Sequence, residues 1–235
     1  ELTLVQEVLG RTIPETALPL KVGVVVNNVA TLRAIARADR HNEPLTSRYV
    51  TVTGEVRSPV VVDAPVGTSI QACLDAAGGT TGPDVAVIQG GPMMGRVVTD
   101  LGAPILKTTS GLVVLPARHA LIQRKLADPA RLLRVARAAC CLCAACSEVC
   151  PRNLLGHRIF PHRLMQSVSA GITHDQEAYL GTLLCCECGL CTAYGCPLYL
   201  DPARMMLEVK TRLRAAKVEY PARPEATASG FFPIK

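Results

Sequence analysis

Apolar positions recur with a helical period over residues 2 to 9, where Leu2, Leu4, Val5, Val8 and Leu9 form one stripe before Gly10. Periodicity closed by a glycine predicts a short helix with a left-handed end. Beyond Pro14 and Pro19, the β-branched run KVGVVV at 21 to 26 reads as a buried strand. Asn27 and Asn28 follow as its polar exit, and Thr31 to Asp39 as an Ala- and Arg-rich helix. At that junction the asparagines suit a helix cap, although strand, polar turn and helix is also the arrangement that presents donors to a ligand in open α/β sheets.

The period then changes to two. YVTVTGEV at 49 to 56 and PVVVDAPVG at 59 to 67 read as paired strands, Ser69 to Ala77 as an amphipathic helix ended by Gly78 and Gly79, and Val85 to Gln89 as a further strand. GGPMMG at 90 to 95 is rich enough in glycine for a phosphate loop but lacks the lysine and the strand-to-helix context, so it reads as a tight turn. Cys73, inside the helix, suits a small core residue. From Pro116 the pattern becomes helical: Leu121 to Lys125, Pro129 to Ala138, His157 to Ser169, a short segment before Gly181, and Ala203 to Ala216 with Pro202 in its first turn.

Composition narrows the classes. In 235 residues, 49% are hydrophobic, enough for real cores, and no apolar run reaches the length of a membrane span. Aromatic residues make up 3% and tryptophan is absent, so stacking platforms for nucleic acid are poorly supplied. The net charge of +6 is densest between Arg118 and Arg137, a stretch that suits a solvated helix face better than a docking patch for an acidic partner. The chain shows no secretory signal. It starts at Glu1 and stops at the apolar Phe231 to Lys235, which reads as a fragment of a longer protein.

Ten of the eleven cysteines fall in two arrays, CCLCAACSEVCP from Cys140 and CCECGLCTAYGCP from Cys185. Cys140, Cys143, Cys146 and Cys150 follow the C-x2-C-x2-C-x3-C-P spacing of bacterial ferredoxins, in which closely spaced thiolates wrap one cuboidal cluster. Cys185, Cys188, Cys191 and Cys196 repeat it with one extra residue before the last cysteine. In two-cluster ferredoxins the last cysteine of each run ligates the other cluster. That rule gives one [4Fe-4S] cluster to Cys140, Cys143, Cys146 and Cys196, and a second to Cys185, Cys188, Cys191 and Cys150. Zinc sites favour paired C-x2-C units, and a disulfide framework does not suit this spacing. Cys141 and Cys186 lie off the spacing, as neighbours of ligands. His157, His162 and His174 suit surface or cap positions. Free thiolates of this kind point to a reducing compartment, the cytoplasm or something enclosed within it.

Several segments resemble known families. GVVVNNVATL resembles a segment of the NADH- and flavin-binding subunit of respiratory complex I, which implies that Asn27, Asn28 and Thr31 contact FMN; Ala30 departs from that pattern, and its Gly-rich phosphate loop is not present. VTGEV, GGPMMG and KTTSGLVVLP resemble the small β domain of the RnfC family. CCECGLC and GCPLYLDP are more similar to the cobalamin reductases of propanediol-utilising microcompartments, the PduS type. The implied fold is α+β: residues 1–45 as the tail of an α/β NADH/FMN domain, 46–116 as a β-grasp domain of the soluble-ligand-binding (SLBB-like) kind, 117–218 as an α-helical two-cluster ferredoxin domain, and 219–235 as a linker to a C-terminal domain.

The absence of a nucleophile–base pair beside so many sulfur ligands points to electron transfer, with the clusters carrying the chemistry. The resemblance implies a relay from NADH through FMN and two clusters to cobalamin. Its implied partners are a redox protein or cobalamin with its adenosyltransferase, and a microcompartment shell protein. An RnfC-like component of a membrane ion pump is the alternative within the family. A docking and wiring module without catalysis is the alternative outside it. Small residues at Ala144, Ala145, Gly189 and Ala193 would let amides approach the sulfurs, and Glu148 and Glu187 would lower the neighbouring potentials.

Overall fold

A computed structural model describes residues 1–172 and 174–221. Most of the expected linker at 219–235 therefore lies outside the described residues. The chain forms two compact units, one running from Asn27 to Ala127 and the other made of Glu1–Val26 together with the chain from Asp128 onward.

The Asn27–Ala127 unit is built on a five-stranded mixed sheet. Its strands are β1 (Ser47–Gly54), β2 (Val60–Pro65), β3 (Val85–Gln89), β4 (Arg96–Val98) and β5 (Gly111–Pro116), in the order β2-β1-β5-β3-β4. β1 runs parallel to β5 and antiparallel to β2, in a register that sets Val50 opposite Val62 and Val52 opposite Leu112. The alternation read in the sequence puts Val50, Val52, Leu112 and Val114 into the core, beneath a helix whose Ile70, Cys73 and Leu74 complete it. Cys73 is thus a core residue. That helix (Ile70–Ala76) starts where Ser69 Oγ accepts the amide of Ala72 at 3.2 Å. Each fully buried aliphatic chain contributes about 1.5–3 kcal/mol, so the alternation itself stabilises the register. Gly90 and Gly95 close the GGPMMG turn, and Lys125 Nζ donates to the carbonyls of Met93 at 2.9 Å and Gly95 at 2.6 Å. A Cβ on Gly95 would stand 2.5 Å from the oxygen of Gly91, so this is a tight turn.

The expected strand at 21–26 does not form. Pro19–Val22 makes one 3-10 turn, Gly23 takes a left-handed conformation (φ 75°), and the valines that follow join no strand among the described residues. A β-branched run favours extension, yet a strand needs a neighbouring ladder, and Val25 is 72% exposed. Asn28 then caps the helix Val29–His41, its Oδ1 accepting the amide of Ala30 at 2.9 Å.

The other unit is helical. In chain order through the whole molecule the helices are α1 (Leu2–Leu9), α2 (Val29–His41), α3 (Ile70–Ala76), α4 (Ala120–Leu126), α5 (Pro129–Ala139), α6 (Ala145–Glu148), α7 (Pro151–Leu154), α8 (Pro161–Ala170), α9 (Gln176–Leu180) and α10 (Pro202–Ala215). Asp128, Asp175 and Asp201 cap α5, α9 and α10 through the amides of Arg131, Ala178 and Arg204. α10 packs on α5, α8 and α9. Its Met205 and Met206 enter two small cores, one with Ala136, Met165 and Leu200 and the other with Ile159, Leu164 and Leu184. The expected helix at 157–169 begins only at Pro161. A residue before proline avoids the helical region, and the Asn153 side chain holds the carbonyl of Ile159 at 2.9 Å. His157 is not at the surface as expected: it is 4% exposed, and its Nε2 donates to the carbonyl of Ile13 at 2.9 Å.

Two cavities lined by the cysteine arrays

The eight cysteines on the ferredoxin spacing sort into two cavities. One, with about 340 Å³ of open space, is lined by Cys140, Cys143, Cys146 and Cys196. The other, of about 330 Å³, is lined by Cys185, Cys188, Cys191 and Cys150. Each cavity therefore takes three cysteines from one array and the last cysteine of the other. Cys141 and Cys186 line the cavities beside their neighbours, but their side chains are largely exposed.

Local backbone geometry explains the sorting. Within each array the residues on both sides of the second spaced cysteine are left-handed: Leu142 (φ 57°) and Ala144 (64°) flank Cys143, and Glu187 (60°) and Gly189 (79°) flank Cys188. Three of these four carry a side chain, for which the left-handed region is unfavourable, so the surrounding structure holds them there. Alternation of left- and right-handed residues curls successive amides toward one point and makes an anion-binding concavity of the kind that cradles iron–sulfur clusters. The amide of Glu187 lies 3.4 Å from Cys185 Sγ.

The extra residue of the second array is absorbed in a π turn at Cys191–Gly195. A wider turn keeps Cys196 aimed at the first cavity, where a one-residue insertion in an α-turn would rotate it away. The first array instead uses α6 and then Cys150 at the start of α7, with Pro151 at the first helical position. α6 and the π turn pack against each other, and Gly195 makes that approach possible: a Cβ there would stand 2.9 Å from Cys146 Cα.

The electrostatics show what such a cavity requires. Burial, with the neighbouring Cys143 and Cys140, pushes the Cys146 thiol up to about 12. Burial likewise raises Cys185 to about 11, and raises Cys191 and Cys150. Four such thiols ionise together only when a cation stands among them, which is what cluster irons provide. Among the described residues, no three His, Cys, Asp or Glu side chains come close enough to hold a single metal ion. The donor set and its spread therefore fit a cuboidal cluster better than one zinc ion.

Two polar side chains stand beside the cavities, His162, expected at a surface or cap position, and Lys210, which no sequence pattern singles out. His162 lines the first, where Ser147 Oγ accepts the His162 amide at 3.1 Å and lies 2.7 Å from its Nδ1. Lys210, 5% exposed, reaches from α10 to the carbonyl of Cys185 at 2.5 Å and to Glu187 Oε1 at 2.7 Å. A lysine in an amphipathic helix reads as a solvent residue, and only the tertiary packing reveals this one. It also offsets the lone negative charge expected of Glu187. Of the expected flavin contacts, Asn27, Asn28 and Thr31 are exposed in the Asn27–Ala127 unit, with the Asn28 oxygen engaged as a cap.

Residues 49–97 match the family model of the SLBB domain, and residues 139–201 that of the 4Fe-4S dicluster domain. Cobalamin reductase PduS of Citrobacter freundii is 43% identical over 218 residues, covering 92% of this chain and 48% of that protein. The C component of the Na(+)-translocating ferredoxin:NAD(+) oxidoreductase complex of Acetobacterium woodii is 37% identical over 157 residues, covering 66% of this chain and 32% of that one. A solved NAD+-reducing [NiFe]-hydrogenase chain overlaps at 19% identity with a TM-score of 0.47, covering 90% of this chain and 40% of that chain. The chain thus spans about half the length of the curated PduS relative, at 48%. No helix among the described residues is long and apolar enough to cross a membrane. The chain carries a 4Fe-4S dicluster domain beside an SLBB domain and is related to the PduS cobalamin reductases and, more distantly, to the RnfC proteins.

Proposed function

We propose that the chain is the electron relay of an NADH-dependent cobalamin reductase, with Cys140, Cys143, Cys146 and Cys196 holding one [4Fe-4S] cluster and Cys185, Cys188, Cys191 and Cys150 the other. The crossed sorting of the eight thiols into two cavities of similar size carries this reading. When bound, the clusters supply one-electron redox chemistry at thiolate-held iron. The protein's share would be to gather four thiolates around each cavity, to bring backbone amides toward the sulfurs, as Glu187 does at Cys185, and to limit water. Gly195 sets the approach of the two arrays. Cys141 and Cys186, exposed beside the cavities, are left outside the ligand sets.

In the whole protein, electrons would enter from NADH through FMN, with Asn27, Asn28 and Thr31 as flavin contacts, and leave to cobalamin. Residues 1–45, 46–116 and 117–218 then correspond to the flavin-domain tail, the SLBB domain and the cluster domain, in a protein working in the cytoplasm or inside a microcompartment. The relative at 43% identity that aligns with 92% of the chain favours this over the Rnf reading, whose relative aligns with 66%. Anaerobic iron and acid-labile sulfide analysis tests the relay: about eight irons per chain are expected, four for each cuboidal cluster. Bound zinc in their place would refute it. Titration with cob(III)alamin of protein first reduced with dithionite and then freed of it, followed by absorption, separates a relay whose clusters pass their electrons to the corrin from a docking module that only binds it.

A further inference from the structure

The two cavities have related backbones but different electrostatic surroundings. The left-handed residue two places after the first spaced cysteine is Leu142 in one array and Glu187 in the other. Leu142 is uncharged and 52% exposed. At the equivalent place in the second array, the Lys210 ammonium is bound to the Cys185 carbonyl and to Glu187. The two charges of this pair do not cancel at the cavity. The Lys210 side chain is 6% exposed, whereas that of Glu187 is 40% exposed and screened by water.

A further donor favours the same cavity. The amide of Glu187 lies 3.4 Å from Cys185 Sγ, a backbone donor to a sulfur of this cavity. A cluster gains negative charge on reduction, so a nearby cation and amide donors to its sulfurs raise its potential. Solvent access acts the other way, since Cys143 is exposed where Cys188 is half-buried. This greater wetting of two thiolates, Cys143 against Cys188 and the half-buried Cys196 against the buried Cys150, is set against a full charge in a poorly screened place.

We propose that Lys210 makes the Cys185/Cys188/Cys191/Cys150 site the higher-potential member of the pair, so that an electron shared by the two sites rests there. The inference rests on the two-cluster reading above. One site is oxidised as the other is reduced by the same electron, and no bond is made or broken. Lys210 is here a positioning and field-setting residue; it is not itself a ligand.

The test is a dithionite potentiometric titration of the full chain, reconstituted anaerobically with iron and sulfide and followed by EPR. Lys210→Met should move the upper of the two midpoints to more negative potential and leave the lower one in place, and Lys210→Arg should restore it. Glu187→Gln, at a partly exposed position, should move the same midpoint the opposite way; where Lys210→Met fails to hold iron, its sign decides alone. Movement of the lower midpoint, or no movement in variants that keep their iron, overturns the assignment. Wild-type protein with about four irons, the content of a single cuboidal cluster, would overturn the two-cluster reading itself and this inference with it.

Discussion

Gly195 illustrates how little freedom single residues have around the cavities. A side chain there would lie 2.7 Å from Val149 Cγ2 and 2.9 Å from Cys146 Cα, and the second of these neighbours is backbone that cannot swing aside. Gly195→Ala should cost about 1–3 kcal/mol through overpacking and push the two arrays apart. Thermal melting and iron content together check this, since the variant should lose both stability and bound iron. A second residue-scale site ties the N-terminal segment to the cluster-bearing unit. Glu15 accepts from the Arg158 amide at 2.6 Å, from its guanidinium at 2.7 Å and from Tyr220 at 3.0 Å. Burial opposes the Glu15 charge, but the Arg158 and Tyr220 hydrogen bonds outweigh it and hold the carboxyl below its ordinary range. Glu15→Gln should weaken this attachment by about 1.5–3 kcal/mol, as expected for hydrogen bonds to a charged group. The nearby His157 is held below the ordinary imidazole value, chiefly by burial, and its Nδ1 has no hydrogen-bond partner among the described residues. A depressed histidine contributes stability above its unfolded pKa and loses it as pH falls. Hydrogen exchange at residues 11–17 should therefore accelerate as pH drops below about 6.5, after correction for intrinsic rates, with a further loss as Glu15 protonates. A pH-independent protection factor would contradict this.

At the scale of elements, the joint between the π turn and α10 is the most exacting. Asp201 Oδ1 caps α10 through the Arg204 amide at 3.0 Å and accepts the Thr192 hydroxyl at 2.7 Å, while Thr192 Oγ1 takes the amide of Ala203 at 3.0 Å. Asp201→Ala should cost about 0.5–2 kcal/mol as a lost cap. Because it also releases the turn that carries Cys191, it should perturb EPR signals of both sites, through Cys191 in one cavity and Cys196 in the other. The grouping of the eight spaced cysteines around two cavities follows their spacing, because short separations decide which thiols a tight loop can bring together. The strands of the SLBB domain were legible for a similar reason: period-two alternation in YVTVTGEV marks which side chains are buried. The valines at 24–26 carry the same residue preference without a partner strand, and pairing is a property of distant chain that a local pattern does not record. The burial of His157 and Lys210 was hidden likewise, since each depends on a segment far along the chain, Ile13 for the first and the Cys185 loop for the second.

For the whole molecule, the division into two units separates the chemistry from the SLBB fold. All eight spaced cysteines belong to the unit formed by Glu1–Val26 and the chain from Asp128 onward, whereas the core of the other unit contains only Cys73 among the cysteines. Removal of iron should therefore unfold the molecule in part. Without cations among them, the buried thiols leave two cavities in a small helical core, while the five-stranded sheet keeps its aliphatic interior. Circular dichroism and hydrogen exchange after anaerobic chelation should show lost protection in α6–α10 and retained protection in β1, β3 and β5. Equal loss in both would mean that the sheet depends on the clusters. The central claim is that the arrays exchange their last cysteines, and Cys150→Ser tests it most directly. EPR and iron analysis of the reduced variant should show the same site perturbed as in Cys185→Ser, with the signal altered in Cys140→Ser left intact. If Cys150→Ser instead matches Cys140→Ser, each array closes on its own cluster and the crossed relay is wrong.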